Sequence, residues 1–359
     1  MNFIHGGNVF AVARLLGVPP EAILDFSASI NPLGPPPGVR TAVATAFDRL
    51  GHYPDSACTE LTAALADHHG CEPSNVCIGN GSTELIYLLP RLVAGRRALI
   101  IAPTFSEYAV ALRHAGWEYD WLVLPSDAGF PLALAAVRKE LKKGYGLLFL
   151  CNPGNPTGRL YGQEEVAELL DICREAGTLP VVDEAFMDFC EEASVKRHVI
   201  ESGAGVVLRS MTKFYGFPGL RLGYALAAPS LTERLVTLRL PWGVSTLAQA
   251  AGLAALADNT HAGRSRAFVA EERTFLMNGL CDLPGVRLWP GAANYVLARL
   301  DGGMTAAGLQ GRLLPERILI RDCGNFHGLD GHFFRVAVRT REENERLLAA
   351  LGHALEQMK

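Results

Sequence analysis

Lys213 stands where lysines are uncommon. The apolar run Gly205-Val206-Val207-Leu208 leads through Arg209-Ser210-Met211-Thr212 to this one amine, and an aromatic, glycine-rich turn, Phe214-Tyr215-Gly216, follows it. Withdrawal from water and cationic neighbours both lower an amine's pKa, which frees its lone pair for attack on a carbonyl carbon. A second chemical group, the Asp183 carboxylate, ends another apolar run, Leu179-Pro180-Val181-Val182. A Schiff-base lysine, with an aspartate to meet a pyridinium nitrogen, is what a pyridoxal phosphate site requires.

Other motifs suit the same centre. Gly79-Asn80-Gly81-Ser82-Thr83-Glu84 is a glycine turn entering a helix expected over Glu84-Leu85-Ile86-Tyr87-Leu88-Leu89. Free N–H groups and the positive dipole end of a helix start suit a phosphate, although Ser82 or Thr83 alone reads equally as a plain N-cap. Asn152-Pro153-Gly154-Asn155-Pro156-Thr157-Gly158 follows the apolar run ending at Cys151, and by itself is as readily a connecting loop. Near the C-terminus, Arg317-Ile318-Leu319-Ile320-Arg321 and Phe334-Arg335-Val336-Ala337-Val338-Arg339 place arginines on or beside strands. Their planar forks match carboxylates and phosphates, while arginines that merely cap strands are the plainer reading, above all for Arg339.

These residues need a scaffold, and the middle of the chain supplies one. Short apolar runs (Ala98 to Ile101, Gly146 to Cys151, Leu179 to Val182, Val206 to Leu208, Leu222 to Ala227) alternate with helix-like segments such as Gln163 to Ile172. Strands buried on both faces and alternating with helices predict an α/β domain with a mostly parallel sheet. The last third reads as a smaller α+β unit, with strands at Asn294 to Leu300, Arg317 to Ile320 and Phe333 to Val338 and a helix from Arg341 to Gln357. The N-terminal segment is expected to join it across the proline-rich link Pro32 to Pro37. A composition 49% hydrophobic and 19% charged is too apolar for a disordered chain, and a net charge of −4 argues against nucleic acid or an anionic membrane as main partner. Eight cysteines without a CxxC pair read as buried, reduced thiols. The opening Met1 to Gly17 has no basic n-region, and no uncharged run is long enough to span a bilayer, so a cytoplasmic protein is expected.

Taken together, the motifs resemble the fold-type I pyridoxal phosphate enzymes of the class I and II aminotransferase superfamily. Within it the chain is most similar to the branch that decarboxylates O-phosphothreonine, itself similar to the histidinol-phosphate aminotransferases. The resemblance implies a large cofactor-binding domain over 46–235 and a small domain built from 1–45 and 236–359. It implies that Lys213 carries pyridoxal 5'-phosphate, that Asp183 holds the ring nitrogen protonated and that Asn155 meets the phenolate oxygen. Phe105, in Pro103-Thr104-Phe105, is the stacking aromatic. The cofactor phosphate falls to Ser82, Thr83, Glu84, Ser210, Thr212 and Arg221, the last eight residues beyond Lys213. Tyr53, in His52-Tyr53-Pro54, reaches the cofactor phosphate of a neighbouring subunit, which implies a homodimer.

For the substrate the resemblance assigns Arg321 to a phosphate and Arg335 to a carboxylate. His5 and Gly6 of His5-Gly6-Gly7-Asn8, and Asn31 of the Asp25 to Gly34 segment, lie over the site, and Asn155 faces the substrate as well. Phe186, in Asp183-Glu184-Ala185-Phe186, and Phe105 lack hydroxyls that the aminotransferase branch commonly carries. The activity implied is decarboxylation of L-threonine O-3-phosphate to (R)-1-amino-2-propanol O-2-phosphate, for the nucleotide loop of cobalamin. A histidinol-phosphate-type aminotransferase using 2-oxoglutarate is the alternative, because the same residues serve both outcomes. An effector-sensing regulator on this fold would need a DNA-binding domain ahead of His5-Gly6-Gly7, for which the reading leaves no room.

Overall fold

Apolar runs form the strands, and where they are uninterrupted the strands are buried along their whole length. The computed structural model describes residues 5–356. A short strand, β1 (Leu24–Asp25), precedes the large sheet, which comprises β2 (Val76–Asn80), β3 (Arg97–Ala102), β4 (Glu118–Val123), β5 (Leu147–Cys151), β6 (Leu179–Asp183), β7 (Val206–Ser210) and β8 (Leu222–Ala227). Their order across the sheet is β2-β8-β7-β6-β5-β3-β4. Only β8 runs against its neighbours, β2 and β7; the other pairs are parallel. The helix Gln163–Glu175 shows why the crossovers are helical: Val166, Leu169, Leu170 and Cys173 fall at three- and four-residue spacing and are all buried.

The last third forms a second, antiparallel sheet. Here β9 (Val286–Trp289), β10 (Tyr295–Leu300), β12 (Arg321–Asp322) and β13 (Phe333–Ala337) lie in the order β12-β13-β10-β9, while β11 (Ile318–Leu319) pairs in parallel with β1. The strand expected over Arg317 to Ile320 is therefore shortened to Ile318–Leu319, and a separate strand begins just beyond it at Arg321. Arg317 is left-handed (φ 57°), so pairing starts only at Ile318. Gln310 then holds the break open, its amide donating to Ile318 O at 3.0 Å and its carbonyl accepting from Ile320 N–H at 2.6 Å.

The closing helix, Arg341–Glu356, starts where expected, and the predicted end at Gln357 lies outside the described residues. The helix expected from Glu84 starts earlier, at Gly81, because the Glu84 carboxylate folds back to accept the Asn80 N–H at 2.6 Å. Among the described residues no helix is long and apolar enough to cross a membrane. All eight cysteines are free; Cys281, at the end of the helix Asn259–Cys281, is exposed and departs from the expected burial.

Candidate active site

Parallel strands β5, β6 and β7 end at one edge of the large sheet, the edge at which doubly wound sheets expose their binding crevice. A cavity of about 380 Å³ opens there. Asp183 is the last residue of β6, Ser210 the last of β7, and one turn of helix, Met211–Phe214, carries Lys213 into the cavity. Asn155 arrives from the loop after β5.

Lys213 is only partly buried by surface, yet its amine is pushed down to about 8. Desolvation is the largest cause; Arg335 and Arg221 add to it and Asp183 opposes it. A lysine poised near neutrality can serve both as nucleophile and as proton carrier. Asp183 behaves in the opposite sense, raised by burial and restrained by two donors. The Tyr108 hydroxyl donates to its Oδ2 at 2.6 Å and the Ala185 N–H to its Oδ1 at 3.0 Å. Tyr108 is fully buried, stacked on Phe149 and edge-on to Phe105.

A polar cup closes one end of the cavity. Ser82 and Thr83, at the start of the helix Gly81–Leu88, face Ser210, Thr212 and Arg221 across it. Ser210 Oγ and Thr212 Oγ1 lie 2.8 Å apart. Gly81 permits the approach: its φ is +75°, and a Cβ there would come within 2.7 Å of Arg221 Nη2. Hydroxyls, a helix N-terminus and a guanidinium form a fitting donor set for a phosphate ester. With Asp183, Lys213 and Asn155 on the adjoining walls, the cavity fits a phosphorylated pyridine carrying an aldehyde.

The other end is built from distant pieces. Arg321 and Arg335 are register partners on β12 and β13, both buried and both lining the cavity. Arg335 donates to Asn155 Oδ1 and, at 3.0 Å, to Ser27 O. Arg321 donates to Asn325 Oδ1 at 2.8 Å and lies over the Phe326 ring; burial lowers its pKa. His5, Gly6, Phe105 and Phe186 complete the predicted residues found on the walls.

Several expected residues are elsewhere. Asn31 does not line the cavity; its amide donates to Phe214 O at 2.7 Å and Ser265 Oγ at 2.8 Å, and its N–H to Lys213 O at 2.9 Å. It braces the backbone behind the lysine, with no side-chain donor left for a substrate. Glu84 is occupied in capping and is also off the wall. Tyr53 is 79% exposed and stacks on Trp242, away from this chain's own cavity. Arg339 donates to Asp25 O and pairs with Glu343, so it ties the small sheet to the N-terminal segment and does not line the cavity. Sequence reasoning passed over Ser27, Ser29, Glu107 and Tyr108. The last two directly follow the Pro103-Thr104-Phe105-Ser106 turn, which was the available signal. No cluster of His, Cys, Asp and Glu among the described residues could hold a metal ion.

Residues 21–351 match the aminotransferase class I and II family, and the chain belongs to it. It is 40% identical to the threonine-phosphate decarboxylase of Salmonella typhimurium over 356 residues, 99% of this chain and 97% of that protein. The L-threonine-O-3-phosphate decarboxylase of Porphyromonas gingivalis superposes with a TM-score of 0.82 at 28% identity, covering 92% of this chain and 99% of the other. The histidinol-phosphate aminotransferase of Sinorhizobium meliloti, solved in complex with pyridoxal 5'-phosphate, gives a TM-score of 0.88 at 25% identity, over 100% of this chain and 96% of that one.

Proposed function

We propose that this chain is a pyridoxal phosphate-dependent carboxy-lyase that converts L-threonine O-3-phosphate to (R)-1-amino-2-propanol O-2-phosphate and carbon dioxide, a step of cobalamin biosynthesis. The observation that carries the reading is the pairing of Arg321 with Arg335 opposite Lys213: two buried cationic forks facing one amine suit a small amino acid with an anion at each end. The 40% identity to a threonine-phosphate decarboxylase supports the choice of anions. When bound, the cofactor supplies an electron sink for a bond broken at the substrate α-carbon.

The chain's own residues do the rest. Ser82, Thr83, Ser210, Thr212 and Arg221 would hold the cofactor phosphate, and Phe105 would cover the ring. Asp183, with the Tyr108 hydroxyl and the Ala185 N–H donating to its carboxylate, would hold a proton on the ring nitrogen. Asn155 gives its oxygen to Arg335, which leaves its amide N–H for the phenolate oxygen; Phe186 brings no competing hydroxyl. Arg321 anchors the substrate phosphate and Arg335 the carboxylate, with His5 and Gly6 alongside. Fixing both ends would decide which α-carbon bond is presented for cleavage. Lys213 then moves the proton that replaces the lost carboxylate.

The same reading assigns 46–235 to the cofactor-binding domain and 1–45 with 236–359 to the smaller one, supported by the pairing of β1 with β11. It makes the protein a cytoplasmic homodimer. Tyr53, Trp242, Leu240 and Phe47 are exposed apolar surface that a second copy would cover, with Tyr53 reaching the partner's cofactor phosphate.

Incubation with phosphothreonine in heavy water tests the reaction. Decarboxylation keeps the original α-hydrogen, adds one deuteron at the carbon that lost carbon dioxide and needs no 2-oxo acid. Release of no carbon dioxide, together with turnover of histidinol phosphate and 2-oxoglutarate, would replace this reading by the aminotransferase.

A further inference from the structure

Glu107 is a carboxylate in the wall of a cavity lined with cations. Its side chain is 14% exposed and begins the helix Glu107–His114. Both oxygens are engaged. Oε1 lies 3.0 Å from His5 Nε2, and Oε2 accepts the Tyr87 hydroxyl at 2.7 Å. Desolvation and that hydrogen bond push the Tyr87 phenol up to about 12, so it stays a donor at neutral pH. Tyr87 therefore fixes the carboxylate, and the carboxylate fixes His5.

Beyond His5 the backbone is equally constrained. Gly7 N–H donates to Ser27 Oγ at 2.8 Å, and a Cβ at Gly6 would lie 2.2 Å from Ser27 O. Ser27 O is the acceptor already described for Arg335. A continuous set of contacts thus joins Tyr87, on the large-sheet side, to Arg335 on the small sheet.

We propose that Glu107, held by Tyr87, is a positioning residue for substrate choice: it clamps His5 and the Gly6–Gly7 backbone against the phosphate end of the substrate. The identity of the substrate rests on the decarboxylase reading; the clamp does not. With His5 against it the Glu107 carboxylate has a donor to face, and without His5 it would stand open to a phosphate and repel it. Loss of His5 alone is therefore worse than loss of the pair.

The test measures kcat/KM for phosphothreonine relative to threonine, together with hydrogen–deuterium exchange of the Gly6 to Leu16 peptide, on the holoenzyme. Glu107→Gln should lower that ratio about tenfold, the worth of one charge-assisted hydrogen bond, and speed exchange of the peptide. Tyr87→Phe should do both to a smaller degree. In a His5→Ala background, adding Glu107→Gln should cost nothing more, or recover part of the loss. Additive losses in the double variant, or an unchanged ratio in Glu107→Gln, would overturn the proposal. So would unaltered exchange in both Glu107→Gln and Tyr87→Phe. If the wild type does not decarboxylate phosphothreonine, the functional reading falls and the exchange arm alone decides the clamp.

Discussion

Strands β6 and β7 carry two charge clusters back to back, and the two behave in opposite ways. Asp183 lines the cavity, while the next residue, Glu184, turns away into a closed network around Arg209. Arg209 is wholly buried and meets Glu184 at 3.1 Å, Asp188 at 3.1 Å and Glu191. Ser194 and the Val195 N–H complete Glu184, and Lys196 pairs with Glu191. Burial alone would lower the Arg209 pKa, but Asp188, Glu191 and Glu184 outweigh it and hold it well above its ordinary value. On the cavity side the balance is reversed: burial first, then Arg335 and Arg221, outweigh Asp183, and the lysine falls to about 8. A cluster whose cations are fully met by carboxylates locks two strands together. A cluster left short of anions gains most when an anionic ligand arrives.

The largest effect should come from the unmatched side. Lys213→Ala removes the nucleophile and proton carrier together, and turnover should fall by about 10³-fold or more. Borohydride reduction of the wild type should tether the cofactor to the Lys213 peptide; an adduct mapped to another lysine would end the assignment.

The comparison breaks most directly through stability. Arg209→Met leaves Glu184 and Asp188 buried without their cation and should cost about 3–5 kcal/mol by urea denaturation. Lys213→Met removes an unmatched cation and should cost little or stabilise. Its pH dependence has a definite sign. With the folded pKa at about 8 against an ordinary 10.5, the unfolded chain binds the extra proton between those values, so wild-type stability rises with pH across that window. The rise is at most about 3 kcal/mol, because Lys213 is partly exposed. Cofactor-stripped Lys213→Met should lack it, and an identical rise in both proteins would assign the shift elsewhere.

The same contrast decides what the sequence revealed. Lys213 and Asp183 were legible because each sits at or just past the end of an apolar strand, where a charge has few structural reasons to be, whereas Asn155, in the loop after β5, and Arg221, directly ahead of β8, were legible only through the family resemblance. The Arg209 network was not, since its members lie between functional neighbours and their pairing is tertiary. Asn31 looked like a substrate contact because its segment crosses the site, but its amide is used up on Phe214 O and Ser265 Oγ. The long helix Asn259–Cys281 escaped notice because His261, Ser265 and Glu272 interrupt its buried stripe. Strand β4 was hidden by Glu118 and Asp120 on a half-exposed edge.

The smallest expected effect sharpens the cavity side further. Tyr108→Phe keeps the ring and its stack on Phe149, at 4.9 Å between centroids, and removes only the hydroxyl on Asp183. A hydrogen bond to a charged group is worth about 1.5–3 kcal/mol. The Ala185 N–H remains, so a loss near the lower end is expected, about tenfold in kcat with little change in KM. Burial already raises the Asp183 pKa and Tyr108 restrains it, so removing the hydroxyl raises it again. Because the carboxylate must be ionised to hold the ring nitrogen's proton, the acid limb of the kcat profile should move to higher pH. If that limb stays in place while stability drops, Tyr108 serves packing alone, and Asp183 draws its ionisation from Lys213 and the Ala185 N–H.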